Sequence, residues 1–323
     1  MSTKDHVLQF LEEKKGEAVS GNEIAAALGL SRAAVWKAVH ALETEGYPIS
    51  AASKRGYSLS PCSDILSKAS ISPHLAPDCS LRHLHIYKEL PSTNTTAKIM
   101  ASEHAPHGTV VIAEHQTAGK GRLGRTFYSP DAQGIYLSVI LRLNESTDLS
   151  MLVTSAAAVA VCRAIQTVTG IEAQIKWVND VYIEEKKVCG ILTEASMNFE
   201  NGQLDYLVLG IGINVVEKTF PPDLHDVATA LGNHCTSHID RSRLIGTLLN
   251  ELDCVISTLS SRSFLEEYRK RSFLLGTRIN VITASETLPA TALSIDDNGH
   301  LIVRMDTGEL RTLSSGEVSI RKQ

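Results

Sequence analysis

Over the first 65 residues the apolar positions fall at helical spacing and then change to loose alternation. Val7, Leu8 and Leu11 mark a first amphipathic helix, and Ile24, Ala25 and Leu28 form one face of a second that begins at Ser20 or Gly21. Gly29 punctuates it, Leu30 packs the turn, and Ser31 is a good cap for a helix from Arg32 to about Glu45, which Gly46 ends. Val35, Val39 and Leu42 face inward on that last helix, leaving Arg32, Ala33, Trp36 and Lys37 on its open amino-terminal face. Residues 47–59 then alternate around Ser53, Lys54, Arg55 and Gly56, as a basic hairpin would. Helix, tight turn, helix and hairpin together predict a winged helix-turn-helix.

Residues 61–80 are weighted toward Ser and Pro, with room for a short helix at Ile65, Leu66 and Ile71, and mark a linker. From Leu84 onward short strands alternate with helices. Strands are expected over 84–87, 109–114, 134–142, 173–177, 181–183, 188–194 and 204–215, and helices over 93–103 and 152–169. A mixed sheet with helices on one side fits this order. A helical stretch over 242–271 precedes four more strands, over 278–283, 290–295, 301–305 and 310–313, set apart by Asp-Asn-Gly and Asp-Thr-Gly turns. The fold class is therefore α+β. The expected domains are 1–65, a winged helix-turn-helix; 66–80, a linker; 81–272, a central mixed-sheet α/β domain; and 273–323, a small SH3-like β barrel.

Composition narrows the function classes only a little. The chain has 323 residues, 43% of them hydrophobic and 21% charged, with a formal net charge of -5. Residues 1–65 carry seven Lys/Arg against eight Asp/Glu. Nucleic-acid binding must then rest on local geometry, and near-neutrality favours pairing two modules on a palindromic site. The six cysteines have no zinc-like spacing. The longest apolar stretch, near 151–162, is too short to span a bilayer, and the amino terminus lacks the apolar run of a signal peptide. A cytoplasmic protein is the expectation.

The chemistry concentrates in four segments. Over 114–130, Gly119, Gly121 and Gly124 interleave with Lys120, Arg122 and Arg125, offering close backbone approach, open N-H groups and charge for a phosphate or carboxylate. This is no dinucleotide fingerprint, because Phe127-Tyr128-Ser129-Pro130 follows where a helix should open. Alone it reads equally well as a basic surface loop. Ser92-Thr93-Asn94 follows Pro91 at a helix start and serves either as a cap or as a grip on a polar heterocycle. Lys176-Trp177-Val178-Asn179-Asp180 ends one strand, and Lys187-Val188-Cys189-Gly190 starts another across a tight turn. Gly210-Ile211-Gly212-Ile213-Asn214 sets small residues in an apolar strand, a mark of close packing or ligand approach.

Jointly these motifs and the helix-turn-helix resemble the biotin protein ligases, in the bifunctional subgroup that doubles as biotin operon repressor, across essentially the whole chain. The chain departs from the usual pattern at Pro91, where the family has an acid, at Val178, where it has Pro, and at Lys120, where it often has Arg and its planar fork. The resemblance implies an ATP-dependent biotin-[acetyl-CoA-carboxylase] ligase. Such an enzyme makes biotinyl-5′-AMP and passes biotin to a lysine of the biotin carboxyl carrier domain of acetyl-CoA carboxylase or pyruvate carboxylase. It implies biotin and ATP as substrates, Mg²⁺ on the leaving pyrophosphate, operator DNA as partner, and a homodimer promoted by the adenylate.

It further implies biotin contacts from Ser92, Thr93, Asn94, Gln116, Lys120, Gly121, Arg122 and Lys187. Nucleotide contacts would come from Lys120, Arg122, Arg125, Lys176, Asn179 and Asn214. Lys187, Arg122, Lys176 and Asp180 are the catalytic candidates; Asp180 orients Lys187, holds the metal, or simply pairs with a lysine. Ser31, Arg32, Ala33, Trp36, Lys37, Lys54 and Arg55 would meet DNA. Three alternatives remain open: a lipoate or octanoate ligase with similar acyl-adenylate logic, a non-catalytic repressor that only senses biotin, and a ligase whose amino-terminal module no longer binds DNA.

Overall fold

The computed structural model of the chain describes residues 2–52, 56–143, 149–197, 204–216, 219–282, 286–314 and 316–320. Three helices lead: α1 (Thr3–Glu13), α2 (Gly21–Leu28) and α3 (Arg32–Thr44). Each starts on a serine, Ser2, Ser20 or Ser31, whose hydroxyl accepts a backbone N-H from the first turn, a contact worth about 1 kcal/mol. Gly29, left-handed at φ 65°, closes α2 and makes the tight turn into α3. The hairpin β1 (Ile49–Ala52) and β2 (Gly56–Leu59) and the short helix α4 (Lys68–Ile71) follow. Val7, Leu11, Ile24, Val35, Leu42 and Leu59 fill one core beneath them. The hairpin tip, with Lys54 and Arg55, lies outside the described residues.

By its contacts the chain divides into two units, one of Met1–Ala76 with Asp240–Gly246 and the other of Pro77–Ile239 with Thr247–Gln323. Within the first, Arg241 is 1% exposed and donates to both the carboxylate and the carbonyl of Asp64. A buried guanidinium needs such pairing to offset its desolvation.

The second unit is built on seven strands: β3 (His83–Leu90), β4 (Thr109–Gln116), β5 (Gly134–Leu141), β6 (Gln174–Lys176), β7 (Asp180–Ile183), β8 (Lys186–Met197) and β9 (Leu204–Asn214). Their order is β3-β4-β5-β9-β8-β7-β6, with only the β3/β4 pair parallel. Helices α5 (Thr93–Ser102) and α6 (Leu149–Thr169) cover opposite faces, not one side as the sequence suggests. The register explains it. Val208 and Ile140, which face one another across β9 and β5, pack against Ala97 and Ala101 of α5, whereas Thr193, one residue before Glu194 on β8, turns the other way to meet Thr154 of α6 at 2.8 Å. Successive strand residues point to opposite faces, so the sheet is a middle layer. α6 is apolar and long enough to cross a membrane by length and composition, yet 72% of residues Leu152–Thr169 are buried inside the fold.

The helical stretch expected over 242–271 is two helices, α7 (Arg241–Ser257) and α8 (Phe264–Arg271). Arg262, left-handed at φ 57°, separates them without any Gly or Pro to announce the break. Five antiparallel strands end the chain: β10 (Arg278–Ile282), β11 (Thr287–Ile295), β12 (Leu301–Met305), β13 (Leu310–Leu313) and β14 (Glu317–Ile320), in the order β13-β12-β11-β10-β14. This module is tied to the sheet unit through the β11/β12 turn. Trp177 donates its indole N-H to the Gly299 carbonyl at 3.0 Å, and Arg269 of α8 binds the Ile295 carbonyl and the Asp297 carboxylate.

Candidate active site and nucleic-acid interface

The site lies where α5 begins and where β8 and β9 show a bare face. Ser92 occupies the cap position of α5, but its hydroxyl makes no capping bond. The Gln116 side chain reaches over from the end of β4 and accepts from the Thr93 N-H at 2.8 Å instead. Ser92, Thr93 and Asn94 are all buried. On the strands below, a Cβ on Gly210 would come within 2.1 Å of Asn94, and one on Gly212 within 2.5 Å of the Phe127 ring. The glycines of the 210–214 motif therefore make room for other side chains to sink onto the sheet.

The glycine-rich segment folds back on itself. Phe127 N-H binds Gly119 O, Gly121 N-H binds Arg125 O at 2.7 Å, and Leu123 turns through φ 55°. The Gly121 N-H is thus used inside the loop rather than left open. Gly119 has to be glycine, since a Cβ there would meet Phe127 O at 2.4 Å.

Lys187 is aimed by an irregularity in the sheet. Val181 pairs with Cys189 but Tyr182 pairs with Lys187, so β7 skips Val188. In a regular strand Lys187 and Gly190 would face opposite ways; the bulge re-aims the lysine. Its Nζ would lie 3.1 Å from a Cβ on Gly190, and it meets Asp180 Oδ1 at 2.7 Å. Asp180 is thereby the partner of Lys187. Arg122 donates through Nη1 to Asn179 Oδ1 at 3.0 Å and through Nη2 to the Gly316 carbonyl at 3.2 Å. Asn179 is fixed in turn by donating to Ile191 O. Tyr268 of α8 donates its hydroxyl to Val178 O, and burial pushes that phenol up, so it remains a donor. Lys176 stands 5.4 Å over the Tyr182 ring.

Two chambers result. The smaller, of about 50 Å³, is lined by Ser92, Thr93, Asn94 and Gln116 and by Lys120, Gly121, Arg122 and Lys187, every residue proposed from sequence for one ligand. The larger, of about 400 Å³, takes Arg122, Arg125, Lys176, Asn179, Asp180 and Asn214. Lys120, expected in both sets, lines only the smaller. Arg122, Lys187, Phe127, Gly121 and Asn179 border both chambers. Sequence reasoning passed over Ser138, which is fully buried and binds Thr93 and Asn94, and Glu194, which accepts from Asn94 and Lys98. A lone hydroxyl in the apolar run of β5 and an acid at the end of an apolar strand were the available signals, since buried polar groups need partners. Gly316 and Val318, from a segment given no site residue, also line the larger chamber.

Among the described residues no group of three or more His, Cys, Asp or Glu could hold a metal ion. Asp180 is already paired. Of the residues that line the larger chamber only Asp180 offers a carboxylate, so a Mg²⁺ ion there would take its other ligands from the nucleotide and water.

In the first unit Arg32, Ala33, Trp36 and Lys37 are exposed on α3, with Trp36 57% exposed and stacked on His40, ring centroids 5.5 Å apart. Ser31 spends its hydroxyl on the cap, at 3.2 Å from Ala34 N. His40 extends this face one turn further and was not anticipated.

Three family models match the chain: the HTH domain over residues 3–58, the Biotin/lipoate A/B protein ligase family over 87–214, and the Biotin protein ligase C terminal domain over 274–321. The chain is 34% identical over 319 residues to the bifunctional ligase/repressor BirA of Bacillus subtilis, covering 97% of each. It is 31% identical to the biotin-[acetyl-CoA-carboxylase] ligase of Mycobacterium tuberculosis over 73% of this chain and 88% of that one. Its fold matches biotin protein ligase from Aquifex aeolicus in complex with biotin and ATP, at a TM-score of 0.65 and 27% identity, over 75% of this chain and all of that one.

Proposed function

Because the chain belongs to the family of bifunctional biotin ligases and repressors, we propose that it joins biotin to ATP as biotinyl-5′-AMP, transfers biotin to a carrier lysine, and represses biotin genes. The observation that carries the reading is the shared wall: two chambers meet at Arg122 and Lys187, the cations that a reaction between two anions requires.

Biotin's head occupies the smaller chamber and ATP the larger. A carboxylate oxygen of biotin bonds to the α-phosphorus as the bond to the bridging oxygen breaks and pyrophosphate leaves. Lys187 and Arg122 hold the two anions together and stabilise the charge gathering on the phosphoryl oxygens. Asp180 positions Lys187, Asn179 positions Arg122, and Lys176 and Arg125 bind the nucleotide phosphates. Phe220, Tyr128 and Val227 give the larger chamber the apolar surface that an adenine ring needs. The carrier lysine then attacks the acyl carbon, AMP leaves, and the amine sheds its proton to water. Mg²⁺ carried on the nucleotide phosphates would neutralise charge on the leaving pyrophosphate.

The carrier is the biotin carboxyl carrier domain of acetyl-CoA carboxylase or pyruvate carboxylase, and the reaction is cytoplasmic, where carrier, ATP and DNA meet. The adenylate promotes a homodimer that sets two α3 helices on a palindromic operator. Biotin-dependent ATP/pyrophosphate exchange on the purified chain, with lipoate and octanoate as competitors, tests the enzyme. Exchange with biotin alone supports the reading; a folded, biotin-binding chain with no exchange makes it a sensor only. Sedimentation with and without biotin and ATP tests the dimer.

A further inference from the structure

The polar end of the smaller chamber is hydrogen-bonded in one direction. The Glu194 carboxylate only accepts: Oε1 takes Lys98 Nζ at 2.8 Å and Oε2 takes Asn94 Nδ2 at 2.9 Å. The Leu192 carbonyl, also an acceptor, lies 3.4 Å from the same amide nitrogen. Asn94 therefore has one orientation, with its nitrogen toward Glu194 and its Oδ1 toward Ser138 Oγ at 2.6 Å. Ser138 has one proton, and Oδ1 takes it.

Thr93 Oγ1 lies 2.8 Å from Ser138 Oγ and 3.2 Å from Gln116 Oε1. Gln116 is oriented too, because its Oε1 faces a backbone N-H and its Nε2 donates to Ser129 Oγ, whose own proton goes to Phe127 O. With the Ser138 proton spent on Asn94, Ser138 Oγ is the nearest acceptor for Thr93 at 2.8 Å and draws its proton inward, leaving a lone pair toward the chamber. With Asn94 turned over, Ser138 would donate to Thr93 instead and leave the Thr93 proton only the longer 3.2 Å contact to Gln116 or the chamber itself.

We propose that Glu194 is a positioning residue which, through Asn94 and Ser138, sets the polarity of the head-group chamber so that Thr93 accepts a ring N-H of the ligand and rejects a ring oxygen. The proposal rests on the reading of this chamber as the biotin-head site and deepens it by naming the residue that fixes which way its hydrogen bonds run. An ether oxygen at that place would set acceptor against acceptor.

The test is calorimetry on the full chain at pH 7.5, with biotin and with a cyclic carbamate analogue in which oxygen replaces one ring N-H. Glu194→Gln keeps the shape but lets Asn94 turn over. Biotin affinity should fall about tenfold, the preference for biotin over the carbamate should fall with it, and KM for ATP should stay as it was. Ser138→Ala, which cuts the relay elsewhere, should give the same loss of preference, and the double variant should be no worse than either alone. Lys98→Met, which removes the ion pair but leaves Glu194 an acceptor, should keep the preference. Wild-type preference in Glu194→Gln overturns the proposal, as does equal loss of preference in Lys98→Met. A wild-type chain that binds no biotin overturns instead the functional reading beneath it.

Discussion

Lys187 and Asp180 meet at 2.7 Å because β8 bulges at Val188 and turns the lysine onto the face that Asp180 and Gly190 share. A carboxylate held at that distance as an ion pair keeps the ammonium at the wall between the chambers. Lys187→Ala should fold yet lose biotin adenylation by about 100-fold or more. Asp180→Asn keeps the lysine but loosens it, and should cost about tenfold. The two changes act on one unit, so the double variant should be no slower than Lys187→Ala; full additivity in exchange assays would break the proposed coupling.

Gly210→Ala drives a methyl to 2.1 Å from Asn94 Oδ1. Asn94 has to give way, and it is tied to Glu194 and Ser138. We expect a stability loss of about 1–3 kcal/mol in denaturant unfolding and loss of biotin binding with ATP binding retained. Wild-type biotin affinity in a folded variant would refute the close approach.

Acid should act through Glu194. Burial pushes its carboxyl up, but hydrogen bonds from Lys98 and Asn94 and the charges of Lys98 and Lys120 outweigh burial and hold it below the ordinary value of 4.5. A depressed folded value means that its contribution is complete above 4.5 and is lost as pH falls through that lower value. Biotin affinity should then show no Glu194 step between neutrality and about pH 5. In Lys98→Met, which lacks one of the stabilising donors, the acid limb should move to higher pH. Titrations that superimpose for the two proteins would remove Glu194 from the profile.

On the nucleic-acid side, Lys37→Ala and Trp36→Ala alter exposed residues of α3 and should leave biotin-dependent exchange untouched. Lys37→Ala should weaken operator binding for all sequences and lower the salt slope by about 1, while Trp36→Ala should weaken it with the slope kept. An unchanged slope for Lys37→Ala would reject a phosphate contact there.

How much of this could be read from sequence depended on whether the signal was local. Serine caps, Gly29 and the apolar spacing of α1 to α3 are local, and the limits of α2 and α3 fall within a residue or two of expectation. The alternation of β5 and the long apolar run of β9 were equally plain. The bulge at Val188 is set by pairing with β7, and nothing in Lys187-Val188-Cys189-Gly190 announces it. The break at Arg262 uses a residue that seldom takes the left-handed region. That α5 and α6 lie on opposite faces follows from Glu194 and Thr193 pointing apart, which requires knowing what each meets. Of the site, the charged and glycine residues were legible because phosphate and carboxylate chemistry demands them. Ser138 and Glu194 were not, because they act through Asn94 and each looks ordinary alone.

The glycines at 190, 210 and 212 leave depth that other side chains have already taken, the Asn94 amide over Gly210 and the Phe127 ring over Gly212 and Gly190. No substitution at these three positions can widen the binding space, since each is already the smallest residue. Phe127 borders both compartments, so its truncation, unlike that of Leu137, Ile191, Leu192 or Ile211, which line only the smaller one, would merge the two. The same excavation makes the partition between the compartments depend on one ring that belongs to a loop, which an engineer can shorten without rebuilding the sheet.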